Sequence, residues 1–456
     1  MALDVVFERF VHHSPLPLMA RLLMQRALGA EWLDSLFEQH RQRQYTRELL
    51  FSTEVDLMAL VALGLRPSLH AAAQSSEGLK VSMQALYEKV HHTEPRVVRE
   101  LVQCSGERLR PVLEHLKLQQ PSWASGYRVR VLDGNHLAAS QKRLKPLRGL
   151  RGAALPGQAL VVYAPEWDLV VDLVPAEDAH ANERALMGPV LERVQAGELW
   201  LADRNFSTRQ ILFAVEDKHA AFVIREHGVS PSPTEAGPLK KVGRVETGVV
   251  FEQAVEIEDE QGRRLRLRRI ELQLEEPTED GDTRIRVLTN VPSERMGAKE
   301  VAGLYRRRWS IEGMFGRLES VLKSEVKTLG YPRAALLAFG VAVMAYNVLA
   351  VMLAAVETEH RLKATEVSSY YIADEVKATY GGMMIAIAEP LWRGFESQTD
   401  EELGKELLWL ASHVKPSKLR KHPRGPKKKE KKGYAPRREV DRHVSTARVL
   451  RGDEKT

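Results

Sequence analysis

The sequence predicts an α/β protein: a strand-and-helix core flanked on both sides by mostly helical chain. Three observations predict this. From Tyr127 the pattern becomes period-two, as in Tyr127-Arg-Val-Arg-Val-Leu-Asp133. Before about residue 120 the apolar residues instead recur at helical spacing. Finally, Ala334 to Val356 carries no charge, and Asn347 is its one strongly polar side chain. At 456 residues the chain exceeds one simple core, so two or three domains are expected.

Residues 1–120 form the first region. Ser14-Pro15 opens a helix with a cap-like residue and a proline in the first turn. Leu18, Leu22 and Leu23, then Leu33, Leu36 and Phe37, build apolar helix faces. Two helical stretches flank His91-His-Thr-Glu-Pro95, which allows a helix-turn-helix, although most such pairs are packing units.

In the next region Val129, Val131 and Asp133 share one strand face. Ala159–Tyr163 and Leu169–Leu173 pair as a hairpin across Ala164-Pro-Glu-Trp-Asp168, and a helix is expected from about Asn182 to Gln195. A strand ending at Asp203 follows, and Ala220–Ile224 supplies another. Strand, hairpin, helix, strand is the order of a ribonuclease-H-like core, assigned to residues 127–225 and 296–356.

Between the two parts of that core, residues 226–295 are expected to form an inserted β domain. Val249, Phe251, Val255 and Ile257 alternate, Asp259-Glu-Gln-Gly262 turns, and Leu265-Arg-Leu-Arg268 returns. Arg264, Arg266 and Arg268 share a strand face, with Arg284 and Arg286 as a second row. They suit either a DNA backbone or cross-strand pairing with Glu252, Glu256, Glu258 or Glu271. The apolar run from Ala334 is long enough to cross a bilayer. Its alanine content, Gly340 and the lack of a flanking basic cluster favour a buried helix against the sheet, with no membrane partner. Residues 357–412 read as a helical C-terminal region suited to dimerisation.

The single cysteine, Cys104, excludes an intrachain disulfide, and no Cys/His cluster has zinc spacing. The start lacks the layout of a signal peptide, so a cytoplasmic protein is expected. Formal charge is uneven. Residues 415–456 carry 16 Lys plus Arg against 5 Asp plus Glu, a net of +11, which leaves −5 on the rest. Residues 413–456 are expected to be a basic, disordered tail that attracts DNA phosphates or merely solubilises the protein.

Asp133 and Asp203 each end a strand, and Glu312 lies on the helical stretch Leu304-Tyr-Arg-Arg-Arg-Trp-Ser-Ile-Glu312. Singly, each has an ordinary use in a turn or an i,i+4 helix pair. Together they can converge on two hard cations, which would clamp the attacking and leaving oxygens of a displacement at phosphorus. The expected cofactor is two Mg²⁺ ions, for which Mn²⁺ can substitute. Tyr305, Arg308 and Glu312 fall at i, i+3 and i+7, on one face of a single helix.

These motifs resemble the DDE transposases of bacterial insertion sequences, in the subgroup marked by Tyr-(2)-Arg-(3)-Glu-(6)-Lys. Tyr305, Arg308 and Glu312 match its spacing. Leu132-Asp133-Gly134 is similar to the Leu-Asp-Gly segment, and Asp203-Arg204-Asn205-Phe206 to Asp-Arg-x-Phe. The resemblance spans roughly residues 127–346, and some members carry a β insertion at this point. One position departs: the signature's lysine is Glu319 here, and Lys323 is expected to pair with it one turn later and supply the cation. The resemblance implies cut-and-paste transposition, with strand nicking, a hairpin at the element end, its opening, and strand transfer. It also implies a bacterial, nucleoid-associated protein that acts as a synaptic homodimer on double-stranded DNA, namely terminal inverted repeats and target DNA. The N-terminal region would recognise the element ends. Tyr305, Arg308, Lys323 and the three insertion arginines are the candidate DNA contacts. Trp309 is a candidate for holding an unpaired base, against the commoner role of such a tryptophan in a core. Two alternatives remain: a nuclease of the same fold without strand transfer, which would use the same carboxylates, and a catalytically inactive DNA-binding protein derived from a transposase, against which the intact triad argues.

Overall fold

The structure, a computed structural model, describes residues 5–44, 48–76, 79–116, 122–278, 281–421 and 443–452. Seven helices come first: α1 (Val5–His13), α2 (Pro15–Ala27), α3 (Ala30–His40), α4 (Phe51–Ala62), α5 (Leu69–Gln74), α6 (Met83–His92) and α7 (Pro95–His115). The core follows with β1 (Arg128–His136), β2 (Ala153–Leu155), β3 (Gln158–Ala164), β4 (Leu169–Ala176), α8 (Met187–Arg193), β5 (Glu198–Ala202), α9 (Arg209–Asp217) and β6 (Ala221–Arg225). Five strands come next: β7 (Thr234–Glu235), β8 (Lys240–Val245), β9 (Gly248–Glu258), β10 (Arg264–Leu274) and β11 (Arg284–Thr289). The remainder is α10 (Ala298–Arg307), α11 (Ser310–Ser320), α12 (Pro332–His360), α13 (Ser369–Ala386), α14 (Glu389–Trp392), α15 (Asp400–Ser412), α16 (Pro416–Leu419), β12 (His443–Ser445) and α17 (Thr446–Arg451).

One mixed sheet organises the molecule, in the order β4-β3-β1-β5-β6-β11-β10-β9-β7, with β8 also on β9. The β4–β3–β1 part is antiparallel and β1–β5–β6 is parallel. Period-two alternation sorts the two faces. Val129, Val131, Leu199 and Leu201 enter the core shared with α7 and α12. Leu132, Trp200 and Ala202 enter a second core with residues of α8 and α9. The insertion is a continuation of this sheet rather than a separate domain, because β11 pairs antiparallel with β6. An edge strand with free backbone groups invites such extension.

Helix α12 is the apolar run, and it is long and apolar enough to cross a membrane. Here it is buried, packed against α2, α4, α6, α7, α13, α15 and β4. Gly340 lets α7 approach, since a Cβ there would lie 2.5 Å from Val98 Cγ1. Asn347 explains its own presence: its Oδ1 accepts from Val170 N and its Nδ2 donates to Val170 O, both at 2.9 Å, covering the backbone of edge strand β4. Helix α7 is likewise a core helix. Arg99 holds Asp172 of β4 through Nε at 3.0 Å and Nη2 at 2.9 Å, and Gln103 donates to the same carboxylate. Both α6 and α7 pack on α12, so α7 is spent on the core rather than free to enter a groove.

Two further expectations are corrected. Part of the segment expected to be disordered belongs to the fold. Leu419 is buried and its carbonyl accepts from Ser368 N, while β12 pairs in parallel with β2. Ser445 and Arg448 then bind Asp178 at 2.7 and 2.8 Å. The lysine run 427–432 lies outside the described residues. The helix expected from Asn182 to Gln195 is a 3₁₀ turn, Glu183–Leu186, followed by the short α8.

Two outcomes are expected from this packing. Asn347→Leu leaves a buried N–H and C=O on Val170 without partners, at about 1–3 kcal/mol each. Urea unfolding should show a loss on the order of 2–5 kcal/mol, and an unchanged midpoint would refute the bridging role. Glu54 of α4 is fully buried, and burial pushes its carboxyl from 4.5 up to about 8 despite Lys89 at 3.7 Å. The folded state thus holds a proton that the unfolded chain releases near 4.5. This contribution to stability is complete below that value and is lost as pH rises towards 8. The decline should disappear in Glu54→Gln, and an identical pH profile in the variant would refute it.

Candidate functional site

Strand pairing brings the two aspartates level. The parallel β1–β5 register pairs Leu132 with Ala202, so Asp133 and Asp203 are the next residues along two neighbouring strands. By alternation both follow the face of Val131 and Leu201, the face covered by α7 and α12. Asp203 caps the turn that follows β5, its Oδ1 accepting from Arg204 N at 2.6 Å. Asp133, by contrast, does not end its strand as expected: β1 runs on to His136 paired with β3, and Asp133 Oδ1 accepts from Gly134 N at 3.0 Å within it.

The third carboxylate reaches them through an arginine. Arg308 Nη1 donates to Asp133 Oδ2 at 2.9 Å, and its Nη2 lies 3.9 Å from Glu312 Oε1. The Arg308 side chain is only 8% exposed, whereas Glu312 is 62% exposed. Burial, with a smaller push from Asp203, raises the Asp133 carboxyl to about 6 even though Arg308 opposes it. Tyr305 is buried beneath Arg308, 5.9 Å from ring centre to guanidinium carbon, and burial raises its hydroxyl to about 12.

Tyr305, Arg308 and Glu312 do not lie on one continuous helix. The chain breaks between α10, which ends at Arg307, and α11, which starts at Ser310. Tyr305 is therefore a packing residue here, not a surface platform, and Arg308 is engaged internally. Trp309, at the break, is 54% exposed and so is no core residue. Arg317 fixes the far part of α11: it donates to Asp168 Oδ1 at 2.6 Å and to Tyr346 Oη of α12.

The Glu319–Lys323 helix pair does not form. Helix α11 ends at Ser320, and Lys323 N instead donates to Ala62 O of α4 at 2.8 Å. The insertion arginines sit in cross-strand pairs: Arg264 with Glu256 and Glu258, Arg266 with Glu256, and Arg268 with Glu252. Arg286 likewise holds Glu271 at 2.7 Å. Arg266 is the most open of these, with its side chain 89% exposed.

Sequence reasoning missed Glu183. Its Oε2 accepts from Asn205 Nδ2 at 3.1 Å, and its Oε1 occupies the space where a Cβ on Gly134 would be, 1.9 Å away. The only sequence signal is the glycine beside Asp133, which a close approach explains.

Chemically, Asp133 and Asp203 suit a hard divalent cation: oxygen donors, adjacent and mutually repulsive. Glu312 faces Arg308 instead, and among the described residues no three acidic, imidazole or thiol groups are grouped closely enough to hold an ion. The donor chemistry fits, with two carboxylates in place and the third on the adjoining helix.

This is a mixed α/β protein with two aspartates level on neighbouring strands, one within β1 and one just past the end of β5, beside a helix that carries a third carboxylate. Residues 124–348, just under half of the chain, match the family model described as the transposase DDE domain. The match supports a DDE transposase, and with it a nucleic-acid-cleaving enzyme that binds DNA. No curated protein matches the chain.

Removing the buried guanidinium should be costly. Arg308→Met leaves Asp133 without its cation and should destabilise the protein by about 3 kcal/mol. Arg308→Lys should recover only part of that, because an ammonium cannot span both carboxylates. Chemical denaturation at neutral pH checks both, and full stability in Arg308→Met would refute the bridge.

Proposed function

We propose that the chain is a transposase of the cut-and-paste type, excising and inserting a DNA element as a synaptic homodimer. The observation that carries this reading is the level placement of Asp133 and Asp203 on adjacent parallel strands, beside the helix bearing Glu312. The sheet order β4-β3-β1-β5-β6, antiparallel and then parallel, supports a ribonuclease-H-like core. The Tyr305, Arg308 and Glu312 spacing supports the insertion-sequence subgroup named above.

Asp133, Asp203 and Glu312 would hold two Mg²⁺ or Mn²⁺ ions. Bound there, the ions would activate water or a 3′-hydroxyl and stabilise the leaving 3′-oxygen. The protein's own residues do the rest. Arg308 holds Asp133 in place and, on the approach of DNA, offers its guanidinium to a phosphate. Exposed Trp309 supports stacking on an unpaired base at the element end. Lys323 and the insertion arginines contact the DNA backbone, Arg266 most readily because it is the most open. The basic C-terminal segment adds attraction without sequence preference. A soluble, cytoplasmic location fits this role.

The test is cleavage and strand transfer with Mg²⁺ on the DNA that flanks the coding sequence. Asp133→Ala, Asp203→Ala and Glu312→Ala should each abolish cleavage while leaving end binding largely intact. Near wild-type cleavage in any of them sinks the assignment. Cleavage without joining would favour a nuclease, and binding without cleavage by the native chain would favour an inactive DNA-binding protein.

A further inference from the structure

Among the described residues, Glu183 is an acidic side chain that touches both aspartate-bearing segments without being part of the triad. It comes from the 3₁₀ turn Glu183–Leu186, between β4 and α8. On one side its Oε2 accepts from Asn205 Nδ2 at 3.1 Å, two residues after Asp203. On the other, its carboxylate lies against Gly134, next to Asp133, where an added Cβ would stand 1.9 Å from Oε1 and 2.6 Å from Cδ. The neighbouring Arg184 strengthens the same contact, because its Nε donates to Asn205 O at 2.5 Å. The loop is also held upstream, where Asp178 binds Ser445 and Arg448.

We infer that Glu183 is a positioning residue: wedged between Gly134 and Asn205, it sets the separation of Asp133 and Asp203. The inference rests on the proposed role of those aspartates as cation ligands. The turn Arg204–Phe206 is a single 3₁₀ turn, and two side chains from one remote loop fasten it. Without Glu183, Asn205 loses its carboxylate partner and the turn carrying Asp203 gains freedom relative to β1. Glutamine offers the same acceptor oxygen without the charge, so the positioning role survives Glu183→Gln and the alternative, a charge acting on the cation, does not.

The test uses the full chain, with two readouts independent of catalysis. Hydrogen exchange is followed in peptides covering residues 203–207 and 132–136, and Mn²⁺ binding is titrated without DNA. In Glu183→Ala, exchange should quicken in both peptides and Mn²⁺ affinity should fall about tenfold, as for other groups that orient ligands. Glu183→Gln should restore both. Asn205→Ala should reproduce the loss, and the double variant should lose no more than either single one. Gly134→Ala, whose Cβ displaces the carboxylate, should behave like Glu183→Ala. Unchanged exchange in Glu183→Ala overturns the inference, as does a Glu183→Gln variant as impaired as the alanine. If the native chain binds no Mn²⁺, the proposed cation chemistry fails, and the exchange arm still decides the positioning role.

Discussion

Everything around the site answers one electrostatic constraint: two carboxylates held level on neighbouring parallel strands and partly shielded from water. Shielding strengthens their repulsion and favours protonation, which is why Asp133 stands near 6. Arg308 is the counterweight, and putting it there shapes the chain. Helix α10 is anchored by buried Val301, Leu304 and Tyr305, and α11 by Ile311, Met314 and Leu318. Between these anchors Arg308 and Trp309 keep right-handed helical dihedrals while the ladder tightens to i→i+3 bonds, with Arg308 buried and Trp309 exposed. The Arg317–Asp168–Tyr346 cluster then fastens α11 to the hairpin and to α12.

Much of this was legible in sequence because strand periodicity is a local property. Val129, Val131 and Asp133 announce a shared face, and the hairpin across Ala164–Asp168 lies where the pattern puts it. The Asp133–Asp203 register was not legible, since nothing local says which strands will be neighbours. The interruption between α10 and α11 was hidden too, because Arg307-Arg308-Trp309-Ser310 contains neither glycine nor proline. Lys323 was misplaced because α11 ends before it and its backbone is claimed by Ala62 of a helix some 260 residues earlier. Glu183 carried no periodic signal at all. The arginine rows left two readings open, and the structure occupies them with glutamates, so any DNA contact there must compete with existing pairs.

Composition and geometry also divide the labour in α12. Length and hydropathy make the segment look like a bilayer span, its alanines and Gly340 argue against one, and the cover supplied by neighbouring elements buries it. Its lone amide marks where a sheet edge must be capped, so the exception in an apolar run carries the positional information.

That helix has a consequence for the order of events during synthesis. Four of its covering helices, α2, α4, α6 and α7, and strand β4 precede it in the chain, so most of its cradle exists before it emerges. The exceptions are α13 and α15. At about 5–20 residues per second, the stretch from His360 to Ser412 takes roughly 3–10 s to make. For those seconds a nascent chain presents one uncovered apolar flank, which a chaperone, another nascent chain or a bilayer can claim before α13 and α15 arrive.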